Sequence, residues 1–344
     1  MQYVILKKDR LNSLISSLAL KQKVVAPVSK GSGQYAFEEV KSGENISLNY
    51  IPTILPPKKY FMPQYETLIE YDISEGQKME AIVEYEKMIL FGVHTCDLAG
   101  IQDLNIVFSD RPKDLNYLMR KNKITIIGLE CNDVCDEYST CAFMGNELPN
   151  GGYDLFFTDL GEYFYVHINT YAGDQIIQET KVFEEADHTH TTALKKLREE
   201  KRNKFKNQFG VDHTEIPDMF TKVKESKIWE DVGARCLSCG NCTNVCPTCY
   251  CFDTKDEPNL DLKTGKRIRV WDSCQNETFA KVAGGENFRE NRSDRKRHRF
   301  YRKFKYPVDR YSRFFCTGCG RCTRTCMAEI SLPDTLKQII KESK

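Results

Sequence analysis

Two copies of one cysteine pattern, C-x2-C-x2-C-x3-C, lie in the last third of this chain. The first copy consists of Cys236, Cys239, Cys242 and Cys246, and the second of Cys316, Cys319, Cys322 and Cys326. In bacterial-type ferredoxins this spacing holds two [4Fe–4S] clusters, because three thiolates bind one cluster and the fourth binds the other. The pattern therefore predicts one cluster on Cys236, Cys239, Cys242 and Cys326, and a second on Cys316, Cys319, Cys322 and Cys246.

Zinc and disulfides are the alternative uses of so many cysteines. Zinc sites need four N/S ligands, usually in two separated pairs, whereas here three cysteines fall within seven residues, twice. No signal-peptide pattern is visible in residues 1–20, where charged residues from Lys7 to Arg10 interrupt the apolar ones. Fifteen cysteines without an export signal indicate a reducing compartment. We therefore favour iron–sulfur clusters.

Charge and hydropathy exclude several classes of protein. The 50 basic and 49 acidic residues give a net charge of +1, which predicts no polyanionic partner. The apolar runs are too short to span a bilayer. We expect a soluble, cytoplasmic protein of two domains, with a boundary near residue 225.

Residues 1–225 alternate helix and strand patterns, which predicts an α/β domain. The apolar runs Met88–Val93 and Ile124–Leu129 are typical of central strands. Further strands are expected at Lys23–Ala26, Ile46–Asn49, Asp154–Asp159 and Tyr163–Ile168, and helices at Leu98–Phe108, Leu115–Arg120 and His190–Phe209. Residues 226–344 predict a mainly helical, ferredoxin-like domain that holds two [4Fe–4S] clusters, with helices near Gln275–Val282, Asp294–Phe304 and Asp334–Ser343.

Six segments resemble one known family in consistent order along nearly the whole chain. They are Pro56–Lys59, Phe91–Asp97, Cys246–Cys251, Arg267–Cys274, Ala283–Arg289 and Cys316–Cys322. The chain resembles the beta subunit of cytoplasmic NAD(P)-linked sulfhydrogenases, which are [NiFe] hydrogenases with sulfur reductase activity. The electron-transfer subunit of anaerobic sulfite reductase is a close relative of that family.

This resemblance implies an iron–sulfur electron-transfer subunit without catalytic residues of its own. Its partners would be a flavin subunit that binds NAD(P)H and the small and large [NiFe] hydrogenase subunits. The alternatives are a sulfite reductase component that works beside a sirohaem subunit, and a direct sulfur or polysulfide reductase. The sequence contains no Walker loop or G-x-G-x-x-G fingerprint, so flavin and NAD(P) are expected on partner chains.

Seven cysteines lie outside the two motifs. Cys96, Cys131, Cys135 and Cys141 could hold a third cluster, because Cys96 and Cys131 follow the two predicted central strands. The family usually has a C-x-C pair in this loop; here Cys141 remains and Cys135 is an extra cysteine. Cys249, Cys251 and Cys274 could hold a further cluster with one open iron, but we expect them to pack beside the twin motifs.

The segment 289–305 carries nine Lys/Arg residues and two acidic residues. Such a run is typical of nucleic-acid binding. Its place between the two motifs favours another role, because a thiolate-bound cluster carries net negative charge that nearby cations stabilise. We therefore predict no nucleic-acid partner.

Overall fold

An eight-stranded mixed sheet dominates the first two thirds of the chain. The computed structural model describes residues 2–74 and 76–344. The strands are β1 (Tyr3–Lys7), β2 (Lys23–Ser29), β3 (Tyr35–Glu39), β4 (Tyr65–Asp72), β5 (Lys78–Ala81), β6 (Met88–His94), β7 (Ile124–Leu129), β8 (Leu155–Asp159), β9 (Tyr163–Ile168), β10 (Glu184–Glu185), β11 (Phe252–Pro258) and β12 (Thr264–Trp271). The large sheet has the order β10-β1-β9-β8-β7-β6-β2-β3.

The helices cover the sheet and form most of the region after residue 225. They are α1 (Leu11–Ala19), α2 (Thr95–Ser109), α3 (Leu115–Lys123), α4 (Tyr171–Thr180), α5 (His188–Lys204), α6 (Ile216–Lys222), α7 (Ile228–Arg235), α8 (Asn241–Asn244), α9 (Arg292–Phe304), α10 (Tyr306–Tyr311), α11 (Arg321–Arg324) and α12 (Leu332–Ser343). None of the described helices is long and apolar enough to cross a bilayer.

The centre of the large sheet is parallel. β6 pairs with β2 and β7, and β7 pairs with β8, all in parallel register. Every residue of β6 is buried, which explains its continuous apolar run, since parallel strands are covered on both faces. The predicted strands at Met88–Val93 and Ile124–Leu129, and the two helices between them, are confirmed.

A bulge at Gly92 shapes the end of β6. The β6–β7 register shifts between Phe91 and Val93, and Gly92 has a φ of +77°. A Cβ atom there would also meet the ring of Pro27 at 3.1 Å. The Gly92 carbonyl accepts a hydrogen bond from the Tyr50 hydroxyl at 2.6 Å, which places Tyr50 beside the strand end.

Two predicted elements are wrong. Residues 46–49 are not a strand. In the described part of the chain, a single hydrogen bond joins them to the sheet, from the Ser47 N–H to the Pro27 carbonyl of β2 at 2.8 Å, beyond the part of β2 that pairs with β6. The predicted helix at 275–282 is reduced to one 3-10 turn, Glu277–Ala280. Lys281 instead pairs with Asn287 in an isolated antiparallel bridge, which reverses the chain.

A second, antiparallel sheet combines distant parts of the sequence. Its order is β11-β12-β4-β5, so the hairpin between the two cysteine motifs extends a sheet begun near residue 65. The region after residue 225 therefore contains a β-hairpin as well as helices, and the description "mainly helical" is not confirmed. An apolar core around Trp229, Phe220 and Phe304 also includes Phe143 and Met144. A domain boundary at residue 225 stays a prediction.

Candidate iron–sulfur centres

The two cysteine motifs fold in the same way. Ser238 and Gly318 occupy equivalent positions with φ of +54° and +73°. Gly240 and Gly320, with φ of +75° and +72°, precede the four-residue helices α8 and α11. The left-handed turns allow the chain to reverse between the second and third cysteines, so that thiols close in sequence can surround one volume.

The second predicted cluster set lines a single cavity. Cys246 from the first motif faces this cavity together with Cys316, Cys319 and Cys322 from the second motif. Gly318 and Gly320 form part of the wall. The structure thus brings together the crossed set that the ferredoxin pattern predicts.

Two members of the first predicted set face a neighbouring space. Cys242 and Cys326 line this second cavity together with Cys322 of the second set. The Cys236 sulfur accepts a hydrogen bond from the Ser238 N–H at 3.3 Å, and Cys326 accepts one from the Ile330 N–H at 3.4 Å. Such bonds to sulfur are typical of cluster ligands and tune their reduction potential. Cys239 is exposed, so this set lies at the protein surface.

Helix α9 places buried cations against both cavities. Arg295, Lys296, Arg299 and Lys303 are only 4–5% exposed. Within residues 2–74 and 76–344, none of the four has a carboxylate within ion-pair distance. Arg299 and Lys303 line both cysteine cavities. Buried cations without carboxylates are costly, and a thiolate-bound cluster would supply the missing negative charge. The donor set and the charge of the walls therefore fit [4Fe–4S] clusters.

The four upstream cysteines lie near one another beside the large sheet. Because β6 and β7 are parallel neighbours, Cys96 in the first turn of α2 and Cys131 after β7 lie at the same edge of the sheet. A hydrogen bond between Cys131 and Cys135 raises the pKa of Cys131 and lowers that of Cys135. Cys96 and Cys141 lie within electrostatic range of Cys135. Among the described residues, no three His, Cys, Asp or Glu side chains converge as ligands of one metal ion.

The upstream loop packs directly on the second motif. The Thr140 N–H donates to the Gly318 carbonyl at 2.8 Å. A Cβ atom at Gly318 would lie 2.6 Å from the Cα of Cys141, so only glycine permits this approach. Cys96 lies within electrostatic range of Cys319. The upstream cysteines are therefore neighbours of the second dicluster set.

A buried ion pair stabilises the contact between the upstream region and the second motif. The sequence analysis did not identify this pair. Arg321 and Asp97 side chains are both 0% exposed, with Nη1 to Oδ1 at 2.6 Å and Nη2 to Oδ2 at 2.8 Å. The Arg321 Nε also donates to the Thr53 carbonyl at 2.6 Å. The available signal was that both residues fall inside segments that carry the family resemblance.

Lys58 is a second residue whose role sequence reasoning missed. Its Nζ donates to the carbonyls of Cys249 at 2.9 Å and Thr243 at 3.3 Å, and lies 4.2 Å from the centre of the Trp271 ring. Burial lowers the pKa of Lys58 to about 8, against the opposing effect of the Cys249 and Cys246 thiolates. The Pro56–Lys59 segment thus fixes the chain that follows the first motif.

His94 is buried rather than available to solvent. Its ring stacks on Tyr50 with ring centres 3.8 Å apart. Burial, followed by the charge of Arg321, lowers the pKa of His94 to about 3, so the imidazole is neutral. It lines a cavity of about 430 Å³ together with Cys131 and Cys135.

Comparison with known proteins identifies the class and then the family. Residues 235–330 match the family model described as a 4Fe-4S dicluster domain, so the chain is an iron–sulfur protein of the dicluster class. Over 340 residues the chain is 34% identical to sulfhydrogenase 2 subunit beta of Pyrococcus furiosus, and the match covers 98% of each chain. The chain belongs to the family of sulfhydrogenase beta subunits.

Proposed function

We propose that this protein is the electron-transfer subunit of a hydrogenase complex. It would relay electrons between a flavin subunit that binds NAD(P)H and a [NiFe] module of small and large subunits. The observation that carries the proposal is the sequence of cysteine sets across the molecule. The first set, in which Cys239 is exposed, adjoins the second set, in which Cys246 is buried, and the second set in turn lies near the upstream set around Cys131.

The ligand assignment follows the spacing of the two motifs, and the cavity shared by Cys246, Cys316, Cys319 and Cys322 supports its second set. Cys236, Cys239, Cys242 and Cys326 would hold one [4Fe–4S] cluster, and Cys316, Cys319, Cys322 and Cys246 the second. The upstream set Cys96, Cys131, Cys135 and Cys141 would hold a third, with Cys135 as the fourth ligand. Each cluster takes up and releases one electron at a time. The role of the chain is to hold the three sites adjacent, through the Arg321–Asp97 pair and the Gly318 contact.

The exposed end of the series has the character of a docking surface. Leu237 is 61% exposed and Met327 is 82% exposed, and both lie directly beside ligand cysteines of the first set. Large apolar side chains at a surface are typical of interaction sites when they group together. A partner redox subunit that covers these residues would exclude water from Cys239.

The family name supports the choice of partners. The Pyrococcus furiosus relative is named as a sulfhydrogenase subunit, and the family resemblance implies separate flavin and [NiFe] subunits. In this assignment the chain itself binds neither flavin nor NAD(P), and it turns over no substrate alone.

The test is reduction of the purified chain under anaerobic conditions, followed by electron paramagnetic resonance. We expect dithionite to reduce the clusters, and NADPH to reduce them only when the flavin subunit is added. Iron analysis of the C131S/C135S variant should show a loss of about four iron atoms, one cluster, relative to the wild type. Rapid reduction by NADPH without a flavin subunit would contradict the proposal.

A further inference from the structure

Three cysteines remain outside the proposed relay, and they line one cavity. Cys249, Cys251 and Cys274 face a space of about 380 Å³. The pocket is partly open to solvent, and it is much larger than the share of liquid volume of one water molecule, which is about 30 Å³. Three thiols therefore share the wall of a space that a group larger than water can enter.

The geometry points to an additional [4Fe–4S] site in this cavity, bound by the thiolates of Cys249, Cys251 and Cys274. This site is independent of the upstream set and of the proposed partners. Binding of an assembled cluster would replace three S–H bonds by three S–Fe bonds and release three protons.

The backbone holds the three thiols on two adjoining segments. Cys249 and Cys251 follow the first motif, and Cys274 follows β12. The Asp272 N–H donates to the Cys251 carbonyl at 3.0 Å, which joins the two segments. The wall that carries the three thiols is therefore formed by two segments that are hydrogen-bonded to each other.

Two of the three sulfur atoms accept hydrogen bonds from nearby side chains. The Arg299 Nη1 donates to the Cys249 Sγ at 3.5 Å, and the Gln275 Nε2 donates to the Cys274 Sγ at 3.5 Å. These groups stabilise thiolates, which are the form that binds iron. They have the same character as the N–H groups that approach Cys236 and Cys326 in the dicluster sites.

The charge of the wall suits an anionic group. Arg299, Arg302 and Lys303 line the cavity, and no Asp or Glu occurs among its described lining residues. Lys58 lies behind Cys249, whose carbonyl it binds at 2.9 Å. A cluster with three thiolates carries net negative charge, which these cations would compensate.

His298 is the candidate for the fourth ligand of this cluster. It lines the same cavity, and among the described lining residues it is the one imidazole. A neutral imidazole is a common metal ligand. We therefore assign the fourth position at this cluster to His298 on α9.

The site also accounts for every thiol in the chain. Eight cysteines belong to the dicluster sets and four to the upstream set, and the remaining three of the fifteen form this cavity. The Cys249 N–H donates to the Cys246 carbonyl at 3.5 Å, so the new site would adjoin the second dicluster set directly.

The test is a count of iron and acid-labile sulfide per chain in anaerobically purified full-length protein. With the upstream set filled, we expect about sixteen of each in the wild type and about twelve in C251S/C274S. If the upstream set is empty, both counts fall by about four, but the difference between the two proteins remains. Equal counts in the two proteins, with unchanged dicluster resonance signals, would overturn the inference.

If C251S/C274S does not fold, two other variants and one control variant test the inference. H298Q keeps the three thiols and should change the resonance signal of one cluster, whereas Y250F, which alters another residue of the same wall, should not. In C131S/C135S, which leaves the cavity intact, we expect about twelve iron atoms per chain. A count of about eight in that variant would show that only the dicluster is filled, and the inference would fail.

Discussion

Buried positive charge is handled in two different ways in this molecule. Under the four-stranded sheet, Arg269 of β12 lies 2.5 Å from Glu66 of β4 and also pairs with Asp114. Arg120 lies 2.5 Å from the second oxygen of Glu66. On α9, four cations are equally buried, but none of them pairs with a carboxylate among the described residues. Lys296, Arg299 and Lys303 line the cysteine cavities instead. The fourth, Arg295, donates to the backbone carbonyls of Arg289 and Glu290.

The difference shows which region can neutralise its buried charges without a bound group. In the sheet region the chain supplies both signs of charge, so the network is neutralised when the chain folds. In the α9 region the compensating charge must come from bound clusters, since an uncompensated buried charge costs about 3–5 kcal/mol. The dicluster region is therefore expected to depend on its metal, and the sheet region is not.

Iron removal should have the largest effect and should divide the two regions. We expect hydrogen exchange in α9 to accelerate by about two to three orders of magnitude in the iron-free protein, as several buried cations lose their counter-charge. Exchange in β6 and β7 should change little. Mass-spectrometric exchange on matched iron-loaded and iron-free samples measures both at once. Equal protection of α9 from hydrogen exchange in the iron-loaded and iron-free samples would show that its buried cations do not depend on the clusters.

Loss of a carboxylate should have the next largest effect. Glu66→Gln leaves two buried arginines short of charge and should lower the free energy of unfolding by about 3–5 kcal/mol. The matched control lies in the same sheet: Arg267 pairs with Asp256 at 2.7 Å, but both side chains are about half exposed. Asp256→Asn should change the free energy by about 0–1 kcal/mol. Denaturant unfolding of the two iron-loaded variants measures both changes. Similar losses of unfolding free energy in the two variants would show that burial of the ion pair makes no difference.

Replacement of one α9 cation should have the smallest effect. Arg299→Met removes positive charge from the walls of both dicluster cavities and should lower their reduction potentials by about 40–80 mV, or about 1–2 kcal/mol per electron. Arg297 on the same helix is the control, because it pairs with Glu225 at 3.2 Å and Asp294 at 3.1 Å. Redox titration of the resonance signals measures both variants. An equal shift in Arg297→Met would show that overall charge, not position, sets the potential.

The local patterns of the sequence predicted the centre of the fold well. Apolar runs at Met88–Val93 and Ile124–Leu129 indicated buried strands, and the two are parallel neighbours. From that pairing alone, Cys96 and Cys131 are expected at one sheet edge, where the structure places them. These features depend on periodicity and on short-range geometry, which a single sequence contains.

Features that depend on distant partners could not be predicted in this way. Nothing local to β4 indicates that it pairs with β12, and nothing in the Cys-Gly-Arg-Cys run indicates that Arg321 meets Asp97. The position of α9 between the two motifs indicated cations near the clusters, but not which of these cations are buried. The buried face of α9 depends on the helices that pack against it, among them α7 and α6.

The pairing of β4 with β12 also determines how late in protein synthesis the four-stranded sheet can form. The contact between Glu66 and Arg269 spans 203 residues of sequence. At about 5–20 residues per second, the ribosome needs about 10–40 s to synthesise that interval. Throughout it, one edge of β4 is exposed on the nascent chain, and exposed strand edges promote aggregation. The hairpin that separates the two cysteine motifs thus closes a sheet begun much earlier, and this contact forms only after most of the chain has been made.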